Sequence, residues 1–232
     1  MDQIGLFEAI YSARAIRKFR PDPVPDEAIA KILEAAVQAP SGGNRQQWLF
    51  IVVTDREQRR RLAAIYKKSA EVVAAFYALR KRPEHLDEAA YRRMLASGSY
   101  LYEHLDEAPV LLVPCIRAEH LVYPPIAQTV DPAALATQID RTRCASIYPA
   151  IQNVILACRA LGLGTVITTN HLVYEDEVRR VLALPDVVHT HALMPIGYPR
   201  GNFGPLRRRP IAEVAMRDRF GNPWQVASEQ PR

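Results

Sequence analysis

Cysteine is scarce in this chain: three residues, Cys115, Cys144 and Cys158, with no Cys-x-x-Cys pair among them. That argues against a disulfide framework and a thiolate zinc site, and a reducing cytoplasm is the expected location. Long apolar runs are missing too. The longest, Val72 to Leu79, falls far short of the roughly 20 residues a membrane-spanning helix needs. Met1-Asp2-Gln3-Ile4 lacks the basic-then-apolar order of a secretory leader, so no membrane role is expected. Also absent are a Walker Gly-Lys-Ser/Thr, a Gly-x-Gly-x-x-Gly after a strand, His-Glu-x-x-His and Gly-x-Ser-x-Gly. No metal is expected. Gly162-Leu163-Gly164 has the glycines of a dinucleotide loop in the wrong order, closing a helix and entering a strand, so it reads as a helix stop.

Lysine does not occur after Lys81, and arginine supplies 25 of the 30 basic residues. The net charge of +5 is mild. Arg59-Arg60-Arg61 follows Asp55 and Glu57, as on a solvated helix face. A nucleic-acid binder would gather its charge and add a recognisable module, so nucleic acid is not an expected partner.

What is present is the balance of a folded domain, 49% apolar and 24% charged. With 232 residues and no internal repeat or linker, one domain over 1–232 is expected. Helical spacing covers residues 3–15, and the prolines of 21–25 forbid helix there. A helix follows from about Pro25, with Ile29, Ile32, Leu33 and Ala36 on one face and Pro40 beyond its end. Trp48 to Val53 reads as a buried strand, and 55–106 as loosely amphipathic helices. Val110 to Ile116 is a second strand, where Pro114 predicts an edge or a bulge. Residues 118–138 read as loop or lid, 145–160 as a long helix, 165–169 as strand, 175–182 as a short helix and 191–197 as a fourth strand. His189 and His191, two apart on that path, should face one side as structural histidines. An α+β or mixed three-layer domain follows.

Three segments carry the chemistry. Ala13-Arg14-Ala15-Ile16-Arg17-Lys18-Phe19-Arg20 sets four cations where a helix gives way to extended chain. Guanidinium forks suit a phosphate or an electron-rich ring oxygen, and a solvated basic patch would look the same. Ala39-Pro40-Ser41-Gly42-Gly43-Asn44-Arg45-Gln46-Gln47-Trp48 joins the best helix to the best strand. Its two glycines allow close backbone approach, and Ser41 and Asn44 offer donors and acceptors to a polar heterocycle. A bland turn would need only one glycine. Arg207-Arg208-Arg209-Pro210 is either an ordered extended segment or a mobile basic tail.

In this order and spacing the segments resemble the nitroreductase family of FMN-dependent oxidoreductases. The resemblance rests on Arg-Ala-Ile-Arg-Lys-Phe (14–19) with Pro-Val-Pro (23–25), and on Ala-Pro-Ser-Gly-Gly-Asn-Arg-Gln-Gln-Trp (39–48). Further matches are Gln152-Asn153 with Leu156-Ala157, Ala160-Leu161-Gly162-Leu163-Gly164, Pro195-Ile196-Gly197-Tyr198-Pro199 and Arg208-Arg209-Pro210. It implies a three-layer α/β/α sandwich with a mixed, mostly antiparallel sheet, assembled as an entwined homodimer with each flavin site built from both chains. Residues 66–130 would form a variable lid, and 198–232 a C-terminal extension onto the partner. By the same resemblance Arg14, Ala15, Arg17, Ser41, Asn44, Thr168, Thr169 and Arg208 hold FMN. Arg17 would face the ring's N1/O2 edge, Thr168 and Thr169 the N5 edge, and Arg14 and Arg208 the phosphate. Two departures stand out: Ala15 replaces a frequent serine, and Gln47 replaces the proline of Asn-x-Gln-Pro-Trp, which should alter the turn.

The implied activity is ping-pong reduction of nitroaromatics, quinones or similar small electron-poor acceptors by NAD(P)H. The hydride is carried by flavin N5, and no side chain is assigned a catalytic role. Alternatives are a reductive dehalogenase or flavin-cleaving branch of the family, and a flavin-sequestering or redox-sensing binder without turnover. The missing lysine after Lys81 counts against an iodotyrosine substrate.

Overall fold

A computed structural model describes residues 4–118, 125–142 and 144–224. The elements run α1 (Leu6–Ser12), α2 (Asp26–Ala36), β1 (Trp48–Val53), α3 (Arg56–Lys68), α4 (Ala70–Ala78), α5 (Glu88–His104), β2 (Val110–Arg117), α6 (Pro132–Thr142), α7 (Ile147–Ala160), β3 (Gly164–Thr165), α8 (Glu175–Val181), β4 (Val188–Thr190), β5 (Met194–Gly197) and α9 (Ile211–Val214). Helix starts follow local chemistry. Pro25 presets the chain before Asp26 and Glu27, whose charges suit a helix N-terminus. The Asp55 carboxylate accepts from the Gln58 amide at 2.8 Å, and Asp87 from that of Ala90 at 2.6 Å. α7 ends in a Schellman motif: Gly162 takes φ +71°, its N–H donates to Arg159 and the Leu163 N–H donates to Cys158.

The sheet has the order β1-β2-β5-β3 with β4 also on β2, and every strand pairing among the described residues is antiparallel. Alternation along β2 feeds two cores. Leu111, Val113 and Cys115 pack with residues of α3, α5 and α8, while Val110, Leu112 and Ile116 pack with those of α2 and α7. Helices cover both faces of one sheet, which makes the three layers.

Four expectations need correction. β2 is central rather than an edge, and Pro114 sits inside it. The Arg117 N–H donates to the Gln47 carbonyl, so by alternation the Phe50–Pro114 pair does not exchange hydrogen bonds and the proline nitrogen faces away from β1. On that side β4 pairs at Cys115–Arg117 and β5 at Val110–Leu112, so the missing donor falls between two partners. The strand over 165–169 shrinks to Gly164–Thr165 plus a bridge from Thr168 to Leu193. The strand over 191–197 shrinks to β5, Met194–Gly197, with a separate strand β4 before it, and the break between them separates the histidines: His189 in β4 is exposed, His191 in the break is buried. The 118–138 loop contains a helix, α6, after a 3-10 turn at Pro125–Thr129, with residues 119–124 outside the description.

Candidate functional site

After α1 the chain turns extended and joins the sheet's far edge. The Ile16 N–H donates to the Thr165 carbonyl at 2.9 Å, Phe19 bridges Pro199, and the Arg20 N–H donates to the Tyr198 carbonyl at 2.8 Å. Ile16 and Phe19 are buried by this, while Arg14 and Ala15 stay exposed and Arg17 is half-buried. Only glycine tolerates that approach at 164, where a Cβ would lie 2.6 Å from Ile16 Cγ2. So the two glycines of 162–164 have separate jobs, one stopping a helix and one admitting a neighbouring segment.

Arg14 and Arg17 turn to different neighbours, because no helical turn remains to align them. Arg14 Nη1 lies beside Gly204. Arg17 Nη1 donates to Ser97 Oγ on α5 at 3.3 Å, and no carboxylate among the described residues pairs with it. Burial lowers its pKa, against the smaller opposing influence of Tyr66 and Tyr77. Tyr66 in turn stacks on Tyr102 with centroids 4.8 Å apart, and Asn170 donates to the Tyr102 hydroxyl. Burial raises both phenols, Tyr102 to about 12. Thr168 reaches the same cluster: its Oγ1 is buried with no hydrogen bond of good geometry, although the Tyr66 hydroxyl lies close enough to sense it. Thr169 is exposed and caps the turn at Asn170–Tyr174, its carbonyl accepting from the Leu172 N–H.

Tyr66, Ser97, Tyr102 and Asn170 are the residues that sequence reasoning missed. Leu62, Ile65 and Tyr66 share the apolar stripe of α3, so the tyrosine reads as core. Only the tertiary structure shows that its hydroxyl lies close to Thr168 and within electrostatic reach of Arg17.

The Ser41–Asn44 segment lies elsewhere. It makes a 3-10 turn at Gly42–Asn44, with Gly43, Asn44 and Gln46 at φ +59°, +52° and +50°. The Ser41 hydroxyl accepts from the Gln46 N–H, Asn44 Oδ1 accepts from the Gln46 side chain, and Ser146 Oγ accepts from the Gly42 N–H at 3.1 Å. A proline at 47 would push its predecessor toward extended backbone, so Gln47 is compatible with the left-handed Gln46. Ser146 precedes α7, whereas Arg159 near its end donates to Ser12 at 2.8 Å and stacks under Phe203, beside the Arg14 segment. The two segments are therefore separated by most of a helix about 20 Å long. An open cleft of about 350 Å³ at the Arg159 end is lined by Glu8, Tyr11, Ser12, Phe203 and Gly204, and takes in neither Ser41 nor Asn44.

The C-terminal stretch begins on its own chain: the Leu206 N–H donates to the Tyr11 carbonyl at 3.0 Å. That brings exposed Arg208 toward the Arg14 end, with its Nη1 on the Arg207 carbonyl, while Arg209 pairs with Glu213 at 2.9 Å. Residues 225–232 of the expected extension lie outside the described residues. Among the described residues there is no cluster of metal-ligating side chains, and no helix is long and apolar enough to cross a membrane.

This fold and the matching segments define a class. The Nitroreductase family profile matches residues 10–198, and the chain belongs to that family. It is 30% identical to an NADH dehydrogenase of Thermus thermophilus, over 90% of this chain and 93% of that one. It is 32% identical to a 5,6-dimethylbenzimidazole synthase of Rhodospirillum rubrum, over 98% and 92%. The crystal structure of a BluB-like flavoprotein from Clostridium difficile 630 superposes with a TM-score of 0.72 at 25% identity, covering 93% of this chain and 100% of that one. The expected nitroreductase fold is therefore the observed one.

Proposed function

We propose that the protein is an FMN-dependent oxidoreductase that draws on NAD(P)H to reduce small electron-poor acceptors, nitroaromatics or quinones, as a cytoplasmic homodimer. One observation carries the reading. Arg17 is a half-buried guanidinium without a carboxylate partner among the described residues, and Thr168, which like Arg17 acts on Tyr66, has a buried hydroxyl without a proper hydrogen bond. A cation and a donor left wanting around one tyrosine suit an anionic, hydrogen-bond-accepting ring edge. Bound there, FMN would supply hydride acceptance at N5 and ping-pong transfer to an acceptor, so the chain needs no side chain that moves hydride.

The protein's part is placement and electrostatics. Arg17 would hold positive charge against the N1/O2 edge, with its bond to Ser97 orienting the fork. Thr168 and Thr169 would border the N5 edge, Ala15 would contribute backbone, and Arg14 and Arg208 would neutralise the phosphate. Ser41 and Asn44 complete the site from the partner chain. In support, these residues sit at the opposite end of α7 from Arg14, farther than a tricyclic ring extends. Further support is the apolar surface a single chain leaves bare, including Phe7 and Tyr11 on α1, and Ile211 and Phe220 in the last stretch.

A second reading, oxidative cleavage of the flavin itself, is favoured by the benzimidazole synthase relative matched over 98% of this chain. Supplying NADH or NADPH with menadione tests the first reading by acceptor-dependent oxidation of the nicotinamide. Reduced FMN with oxygen, assayed for dimethylbenzimidazole, tests the second.

The shared site has its own test. Arg17→Ala and Asn44→Ala chains, each a homodimer with two damaged sites, should bind FMN poorly. A heterodimer of the two would hold one intact site and one doubly damaged site. It should bind one FMN with wild-type affinity, and failure to do so would show that both residues act on the same chain's flavin.

A further inference from the structure

A chain of buried and half-buried polar groups runs from α8 toward the foot of α7. Glu175 Oε1 accepts both the N–H and the hydroxyl of Thr190, at 2.7 and 2.9 Å. With that hydroxyl proton committed, Thr190 Oγ1 accepts from His171 Nε2 at 3.2 Å, which places the proton of that ring on Nε2. His171 Nδ1 is then a bare acceptor, fully buried and without a hydrogen bond. Burial first, and His191 second, push the His171 pKa down to about 4, so this ring stays neutral beside His191. Buried His191 sets its Nδ1 3.5 Å from the sulfur of half-buried Cys144, close to Tyr148.

We propose that Cys144 and His191 form a reactive thiol–imidazole pair, a modification site for soft carbon electrophiles of the enone and quinone class. An imidazole at contact distance can take the thiol proton and stabilise the thiolate, the form that reacts. The neutral His171 ring adds no competing positive charge and turns a lone pair into the buried space. Among the described residues Cys115 and Cys158 have no such imidazole partner. Both are fully buried in the cores, and burial pushes the Cys115 thiol up to about 12 and that of Cys158 higher still.

The step balances without an oxidant. His191 takes the proton of Cys144, and the sulfur pair forms a bond to the β-carbon of the electrophile. The carbon–carbon π pair moves to the α-carbon, which receives the proton from His191. The product is a thioether. Cys144 lies two residues before Ser146, whose hydroxyl holds Gly42, so an adduct bears on the loop carrying Ser41 and Asn44. That link to cofactor retention rests on the flavin reading; the thiol chemistry does not.

The test treats the native full-length protein with N-ethylmaleimide at neutral pH and maps the adducts by mass spectrometry, with N-acetylcysteine as the free-thiol standard. One adduct is expected, on Cys144, forming at least tenfold faster than on N-acetylcysteine. Cys144→Ser should form none, and His191→Gln should slow the reaction at least tenfold. Cys115 and Cys158 report folding, since they react only when the cores open. If they are labelled in His191→Gln, that variant has unfolded, and the wild-type rate against the standard decides the matter. No adduct on Cys144, a rate less than tenfold above the standard, or an undiminished rate in folded His191→Gln would overturn the proposal. Maleimide treatment should also lower FMN retention. Rapid labelling in a protein that never binds FMN would reject the flavin reading while leaving the thiol pair standing.

Discussion

Arg207, Arg208 and Arg209 carry the same charge on adjacent positions, yet their surroundings differ. Arg209 is committed to Glu213, while Arg208 rests on a backbone carbonyl in an extended stretch that the Leu206–Tyr11 bond ties to α1. A charge-assisted hydrogen bond to phosphate contributes roughly 1.5–3 kcal/mol. Arg208→Ala should therefore weaken FMN binding about ten- to a hundred-fold. Arg207→Ala should change it little, because isolated surface charges contribute under about 1 kcal/mol. Lysine at 208 should rescue in part, keeping the charge and losing the planar fork. Fluorescence titration of each apo variant with FMN reads this directly, and equal losses at all three positions would mean a diffuse patch. The arginines themselves are legible in the sequence. Which of them is left free is not, because Glu213 closes its pair only through the turn into α9.

At the scale of elements, regular pieces with local causes are legible and pieces defined by their neighbours are not. β1 has the bounds its apolar run predicts, and α7 stops where Gly162 allows it. β2 defies the rule for proline because two partner strands divide its far side at Pro114. α4 defies burial: it contains all but the last residue of the longest apolar run, yet Phe76 and, just past its end, Leu79 are 62% and 85% exposed. The turn before α8 has a pH-dependent consequence. His171 ties that turn to β4 through Thr190, and it is neutral in the fold with a pKa of about 4 against an ordinary 6.5. The unfolded chain takes up this proton near pH 6.5 and the folded one only near 4, so stability is full above 6.5 and falls as the pH drops through that window. The loss at this one site is roughly 3 kcal/mol. Urea titrations at pH 7 and pH 4.5 should show it. His171→Gln should flatten the difference, and an unchanged pH dependence in that variant would reject the assignment.

The molecule as a whole is divided between two helix layers, and the flavin segments are divided with it. Arg17 and Thr168 meet around Tyr66 in the layer of α3 and α5, whereas Ser41 and Asn44 lie at the foot of α7 in the other. If the site needs two chains, dilution should remove cofactor and quaternary structure together. Sedimentation across a hundred-fold dilution of the loaded protein should show a dimer that loses FMN as it dissociates, and an FMN-loaded monomer would contradict the arrangement.

By itself the sequence determined the family, the helices with their own stop signals, and the residue types that could face a phosphate and a polar ring. These depend on local backbone preferences and on the order of short segments, which a chain carries without folding. Tertiary structure decided which glycine admits Ile16, why Pro114 can sit in a central strand, and which tyrosine stands beside Arg17. It also brought Cys144 to His191 across 47 positions. Those outcomes depend on contacts between segments remote in the chain, and such contacts exist only once both faces of the sheet are covered.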